Sequence, residues 1–209
     1  TNAATIHFTV VFNEVVTDFA TGDVTLGGTA GATTATVTGS GTTYDVAVSG
    51  MTSSGTVIAT VGASKAHDAA GNANAASTST DNTVTFDMTA PTVTINQAAG
   101  QADPTNASTI HFTVIFSEAV TDFATGDVTL GGTAGAATAT VTGSGTTYDV
   151  AVSGMTTSGT VIATIAAGKA HDAAGNASAA STSTDNTVTF DIKAPTVTIN
   201  QAASQADPT

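Results

Sequence analysis

The chain has 209 residues, 41% of them hydrophobic, which is enough for one or two domains with packed cores. Its 16 Asp and Glu stand against 3 Lys and Arg, a formal net charge of −13; a surface of that sign repels phosphate backbones and anionic headgroups, which excludes nucleic acid and bare membrane as partners and leaves divalent cations. Cysteine is absent, which excludes disulfides and thiolate metal sites, and no apolar run is long enough to cross a bilayer.

The apolar residues are mostly Val, Ile and Ala, with 8 Phe, 2 Tyr and no Trp, and Thr and Gly are abundant. That mixture suits half-buried strands joined by tight turns, an all-β chain. Laying Thr1-Asn2-Ala3 on Thr105-Asn106-Ala107 starts an alignment that runs on to Pro104 over Pro208, so the period is 104 residues and Thr209 begins a third copy. Differences are few, among them Val11/Ile115, Asn13/Ser117, Val61/Ile165, Gly62/Ala166, Met88/Ile192 and Thr89/Lys193. Near-identity of this kind belongs to a tandem array whose units share one mechanical job.

Period-2 alternation then picks out the strands of the complete copy in chain order. The first buries Val93 and Ile95. The second buries Ile110, Phe112, Val114 and Phe116, with His111 and Thr113 outward. A third passes through Val128 and Leu130, a fourth through Ala139 and Val141, and a fifth through Tyr148, Val150 and Val152. The sixth holds Val161, Ala163 and Ile165, and the seventh Val188 and Phe190. Turns are signalled at Gly131-Gly132, Gly143-Ser144-Gly145, Gly154 and Gly159. Seven such strands predict a two-sheet sandwich, and an odd number of passes sends the chain out at the pole opposite its arrival, so copies lie end to end at about 40 Å each.

The seams are Asp87-Met88-Thr89-Ala90-Pro91 and Asp191-Ile192-Lys193-Ala194-Pro195. They divide the chain into residues 1–89, a repeat lacking its first strand; residues 90–193, a complete repeat; and residues 194–209, the first strand of a following repeat. Two arrangements account for this register. Either the sequence is cut from a longer polypeptide, which the match of Thr209 to Thr1 favours, or the strand at residues 196–200 docks into the incomplete repeat of another molecule by strand donation.

Phe116-Ser117-Glu118-Ala119-Val120-Thr121-Asp122-Phe123, Gly145-Thr146-Thr147-Tyr148, Asp172-Ala173-Ala174-Gly175-Asn176 and Phe190-Asp191 ahead of Ala194-Pro195-Thr196 together resemble the bacterial immunoglobulin-like tandem repeats of large surface adhesins. The resemblance covers the whole unit. It implies tandem seven-stranded immunoglobulin-like β-sandwiches arranged end to end, long extracellular stalks at the cell surface and, in some members, Ca2+ at the joints between units.

Following the strand order, one joint is complete: Glu118, Asp122, Asp172 and Asn176 gather at the top of the second unit, and Asp87 arrives from the first. Two half joints flank it. Glu14, Asp18, Asp68 and Asn72 lie at the free top of the first unit, and Asp103, Asn106 and Asp191 at the bottom of the second. Facing carboxylates repel unless a cation lies between them, and a hard oxygen cluster is what Ca2+ coordinates. Extracellular Ca2+ sites with dissociation constants of about 0.1–1 mM would add roughly 1.5–2.7 kcal/mol per site at about 10 mM ion, enough to stiffen a hinge. Simple Asx turns account for the same residues without an ion.

The remaining polar residues point to no chemistry. His7 and His111 face outward on a strand, where they meet solvent or a neighbouring chain, and His67 and His171 precede the acidic loop at the surface. Tyr44 and Tyr148 pack at the rim of the core with a hydroxyl reaching a loop, and Lys65 and Lys169 are placed to pair with a carboxylate. No Gly-x-Ser-x-Gly elbow is present, so no enzyme is expected. The expected function is therefore an extracellular spacer, touching neighbouring repeats of its own chain. The alternative is a self-assembling filament, sheath or surface layer in which identical chains make the contacts. A carbohydrate-binding module is disfavoured by the scarcity of aromatics.

Overall fold

The structure is a computed structural model that describes residues 1–206, so Pro208 and Thr209, on which the repeat continues, lie outside the described residues. Among the described residues there are 11 strands and no helix. The first unit holds β1 (Thr5–Val16), β2 (Val24–Gly27), β3 (Thr34–Ser49), β4 (Gly55–Val61) and β5 (Thr83–Phe86). The second holds β6 (Val93–Gln97), β7 (Thr109–Val120), β8 (Val128–Gly131), β9 (Thr138–Ser153), β10 (Gly159–Ile165) and β11 (Thr187–Phe190).

In the second unit the sheet β6-β7-β9 faces the sheet β11-β10-β8, and every pairing of named strands is antiparallel. The alternation in β7 is the reason. Ile110, Phe112 and Val114 are fully buried and Phe116 nearly so, while His111 and Ile115 point away. Val93, Ile95, Val150, Val152, Val161, Ala163 and Val188 complete one continuous core. Burying such side chains is worth about 1.5–3 kcal/mol each.

The fourth and fifth expected strands are the two arms of β9, a single 16-residue element. It turns back on itself at residues 143–145, where Gly143 and Gly145 have φ of 121° and 70°. Beyond the arms, Ala137 N donates to Ser153 O at 3.0 Å. A Cβ on Gly143 would overlap the Thr147 carbonyl oxygen, so the turn requires glycine for space as well as for φ. Tyr148 then sets its ring edge-on to Phe116 and Phe123, and its hydroxyl donates to Val120 O at 3.3 Å.

Chain polarity follows from the register. Thr92 and Pro91, where the chain reaches the second unit, bond to Ser117 and Ala179 at one pole. Phe190, where it leaves, pairs with Gly159 and bridges Thr105 at the other. The first unit repeats this plan with one difference: its sheets are β1-β3 and β2-β4-β5, and no strand among the described residues pairs with the outer edge of β1. Its core is correspondingly divided into two clusters, and Phe8, Val10 and Phe12 are only half-buried where Phe112, Val114 and Phe116 are buried.

Candidate metal centre at the joint

Three structural devices deliver three carboxylates to the pole where the units meet. Asp87 is the first residue after β5. Its Oδ1 accepts from Ser54 Oγ at 2.8 Å and from Thr89 N at 3.0 Å, so the seam itself is a small Asx turn. Glu118 sits in β7 where the register with β9 slips between Ile115 and Val120, an irregularity that re-aims side chains at the end of a sheet. Asp172 lies in the loop after β10, tied to β7 by a bridge to Val120. Its Oδ1 accepts from Ala174 N and Asn176 N, both at 2.8 Å, and Gly175 at φ 95° closes the turn.

One oxygen from each of Asp87, Glu118 and Asp172 lies within 4.8 Å of the others. Asp172 is buried and the other two half-buried. Oxygens on opposite sides of a Ca2+ at about 2.4 Å are themselves about 4.8 Å apart, so a single such ion fits among these three.

The electrostatics are uneven. The Thr89 backbone amide, then the Ser54 hydroxyl, hold Asp87 below the ordinary carboxylate range. Burial pushes Asp172 upward, but the side-chain and backbone hydrogen bonds from Asn176 outweigh it and the net shift is down. Glu118 goes the other way. Burial raises it first, and the charges of Asp172 and Asp87 raise it further, with no hydrogen bond opposing them. Two oxygens are thus kept ionised against a third that resists ionisation, a conflict that a cation between them relieves.

The other residues expected at the complete joint have different roles. Asp122 does not join the cluster: its Oδ1 accepts from His171 N at 2.6 Å and its Oδ2 meets His171 Nδ1 at 2.7 Å. Burial raises the Asp122 carboxyl, and the His171 bonds more than reverse this. Asn176 turns its amide nitrogen to Asp172 Oδ2 (2.8 Å) and to the Asp87 backbone carbonyl (3.0 Å), so as a donor it orients the Asp172 carboxylate and ties it to the seam, while its Oδ1 accepts from Asn2 Nδ2.

The half joints hold no comparable cluster among the described residues. In the first unit Asp18 pairs with His67 at 2.7 Å, Asp68 and Asn72 form the same turn as Asp172 and Asn176, and Glu14 is exposed. At the far end Asp191 accepts from Ser158 Oγ and Lys193 N at 2.9 Å each, Asp103 accepts from Thr189 N at 2.8 Å, and Asn106 is exposed. The outward histidines also have partners within the chain: His7 meets Asp45 at 2.9 Å and His111 meets Asp149 at 3.0 Å, each aspartate lying on the adjacent strand. Lys169 lies 3.9 Å from Asp127.

Sequence reasoning missed Asn2. Its backbone N donates to Ala174 O and its Nδ2 to Asn176 Oδ1, both at 3.2 Å, and Thr1 O accepts from Asp87 N at 2.9 Å. The signal was present, because Asn2 is the counterpart of Asn106, and placing Asn106 beside Asp191 places Asn2 beside Asp87.

Comparison with known proteins gives one family. The profile described as Bacterial Ig-like domain matches residues 87–190, a span that begins at Asp87 of the joint and ends with β11. No curated protein matches the chain.

Proposed function

Because residues 87–190 are a bacterial Ig-like domain and residues 1–86 repeat its strands, we propose that this chain is an extracellular structural repeat, a stalk or spacer segment of a large bacterial surface adhesin or fibre whose joint is stiffened by Ca2+. Domains of this family are typically surface-associated and non-catalytic, and no helix among the described residues is long and apolar enough to cross a membrane. The arrival and departure of the chain at opposite poles support extension, since each added unit lengthens the array. Its partners in this role are the neighbouring repeats of its own chain.

The observation that carries the reading is the meeting of Asp87 from the first unit with Glu118 and Asp172 from the second. A cation there ties the two units together where, among the described residues, the hydrogen bonds that cross run from Asn2 to Ala174 O and Asn176 Oδ1 and from Asn176 Nδ2 to Asp87 O. The test is the distance distribution between spin labels placed on the two units, recorded with about 10 mM Ca2+ and with chelator. Ca2+ is expected to narrow the distribution and to raise the melting temperature. Glu118→Gln, which removes a ligand that holds no hydrogen bond of the fold, is expected to abolish both responses. A distribution and melting temperature indifferent to Ca2+ would remove the ion from the joint.

A further inference from the structure

We propose that Asn2 sets the rotational register of the joint: it docks the start of the first unit on the Asp172–Asn176 loop of the second and gives the two units one orientation with or without an ion between them. The covalent seam alone is a swivel, because the chain crosses it once through Met88, Thr89 and Ala90, all exposed. A second attachment away from the seam stops that rotation. Asn2 makes it, with its backbone N donating to Ala174 O and its Nδ2 to Asn176 Oδ1, both at 3.2 Å. Asn176 closes the circuit: its Nδ2 donates to Asp87 O at 3.0 Å, while Asp87 N donates to Thr1 O at 2.9 Å. The N–H of Asp87 is thus engaged inside the first unit and its C=O across the joint.

Both halves of this contact keep their shape when they stand alone, and the repeat shows each of them so. The upper half recurs in the first unit, where Asp68 Oδ1 accepts from Ala70 N and Asn72 N at 2.8 Å each and Asn72 Nδ2 donates to Asp68 Oδ2 at 2.7 Å. Asp172, Ala174 and Asn176 make the same turn. The lower half recurs in the second unit, where Thr105 N donates to Thr189 O at 2.9 Å and Asp191 N to Thr105 O at 2.8 Å. The Thr1 nitrogen bonds Thr85 O in the same way, so Thr1 and Asn2 lie where the equivalent interior segment lies. Surfaces shaped in advance lose little freedom on docking, and the seam makes their meeting intramolecular, so a few hydrogen bonds are enough to select one orientation.

The amides also give the contact a direction. Asn2 presents a donor to Asn176 Oδ1, which leaves the Asn176 nitrogen to face the acceptors Asp172 Oδ2 and Asp87 O. Turning the Asn176 amide over would set donor against donor and oxygen against two oxygens. Any joint built from these residues therefore takes the same rotation, and the ion narrows an orientation that the amides have set.

The experiment is run in EDTA, so that a joint which binds no Ca2+ leaves its outcome untouched. In the 209-residue chain, spin labels at exposed strand positions report two distances between the units, Thr25 to Thr129 and Thr34 to Thr138. Wild type is expected to give a single peak for each pair. Asn2→Ala is expected to broaden both peaks and shift their means, with the urea midpoint of the second unit unchanged. Asn106→Ala is the control: Asn106 is the counterpart of Asn2, is exposed and makes no hydrogen bond across a joint among the described residues, and both peaks are expected to stay as in wild type. A wild-type chain without a defined peak overturns the proposal. So does an Asn2→Ala chain that keeps the wild-type distances, or an Asn106→Ala chain that loses them.

Discussion

Glu118 is the residue on which the joint's behaviour with pH turns. Its folded carboxyl is raised above the ordinary 4.5 by burial and by Asp172 and Asp87. An acid raised on folding costs stability once ionised. That cost is present above its folded pKa and disappears as pH falls through that value towards 4.5. Asp87 and Asp172 are lowered from 3.8, so they contribute stability above that value and lose it as pH drops through their folded pKa. In EDTA, Glu118→Gln is therefore expected to be more stable than wild type at neutral pH, with the difference closing below pH 4.5; urea unfolding at a series of pH values measures it. In Ca2+ the order at neutral pH is expected to narrow or reverse. Asp87, Glu118 and Asp172 were legible because the repeat fixed which loops meet. The diversion of Asp122 was not: the strand order brings its loop to the loop of His171 and Asp172, but does not say that Asp122 bonds the histidine and leaves the carboxylate cluster.

At the scale of elements, the two copies act as natural variants of one another. Ser64 occupies φ 58° where its counterpart Gly168 has φ 73°. A side chain in that region costs about 1–2 kcal/mol, part of which glycine gives back as unfolded-chain entropy. Ser64→Gly is therefore expected to stabilise the first unit by about 0.5–1 kcal/mol in denaturant unfolding. The glycine after β8 poses the opposite case. A Cβ on Gly132 would overlap the Thr160 carbonyl, while Gly126, at φ 107°, has open space around it. Gly132→Ala is expected to cost about 3 kcal/mol or more, and Gly126→Ala about 1–2 kcal/mol, measured as the shift in the second unit's unfolding midpoint. Alternation gave away the strands themselves, since β7 reads inward at Ile110, Phe112, Val114 and Phe116. It could not give how closely the two arms of β9 pair up to the turn at residues 143–145, because glycines mark a turn without fixing where the ladder ends.

The two units of the molecule are equal in sequence and unequal in core. Val93 and Ile95 join the sheets of the second unit into one cluster, and among the described residues none takes their place in the first unit. Two such side chains are worth about 3–6 kcal/mol in burial, against a total of about 5–15 kcal/mol for a whole domain. Hydrogen bonding widens the gap, because the outer edge of β1 is unpaired where β7 is bonded on both sides. Urea is therefore expected to unfold the 209-residue chain in two steps, first the unit of β1–β5 and then the unit of β6–β11. Hydrogen exchange read strand by strand assigns the steps: the amides of β1 should exchange well before those of β7, although the two strands differ only at Val11/Ile115, Asn13/Ser117 and Val15/Ala119. A copy of residues 90–104 ahead of Thr1 is expected to merge the two steps into one. If β1 and β7 instead exchange alike in the unmodified chain, the missing strand carries little of the sandwich's stability, and the magnitude assigned here to Val93 and Ile95 is too large.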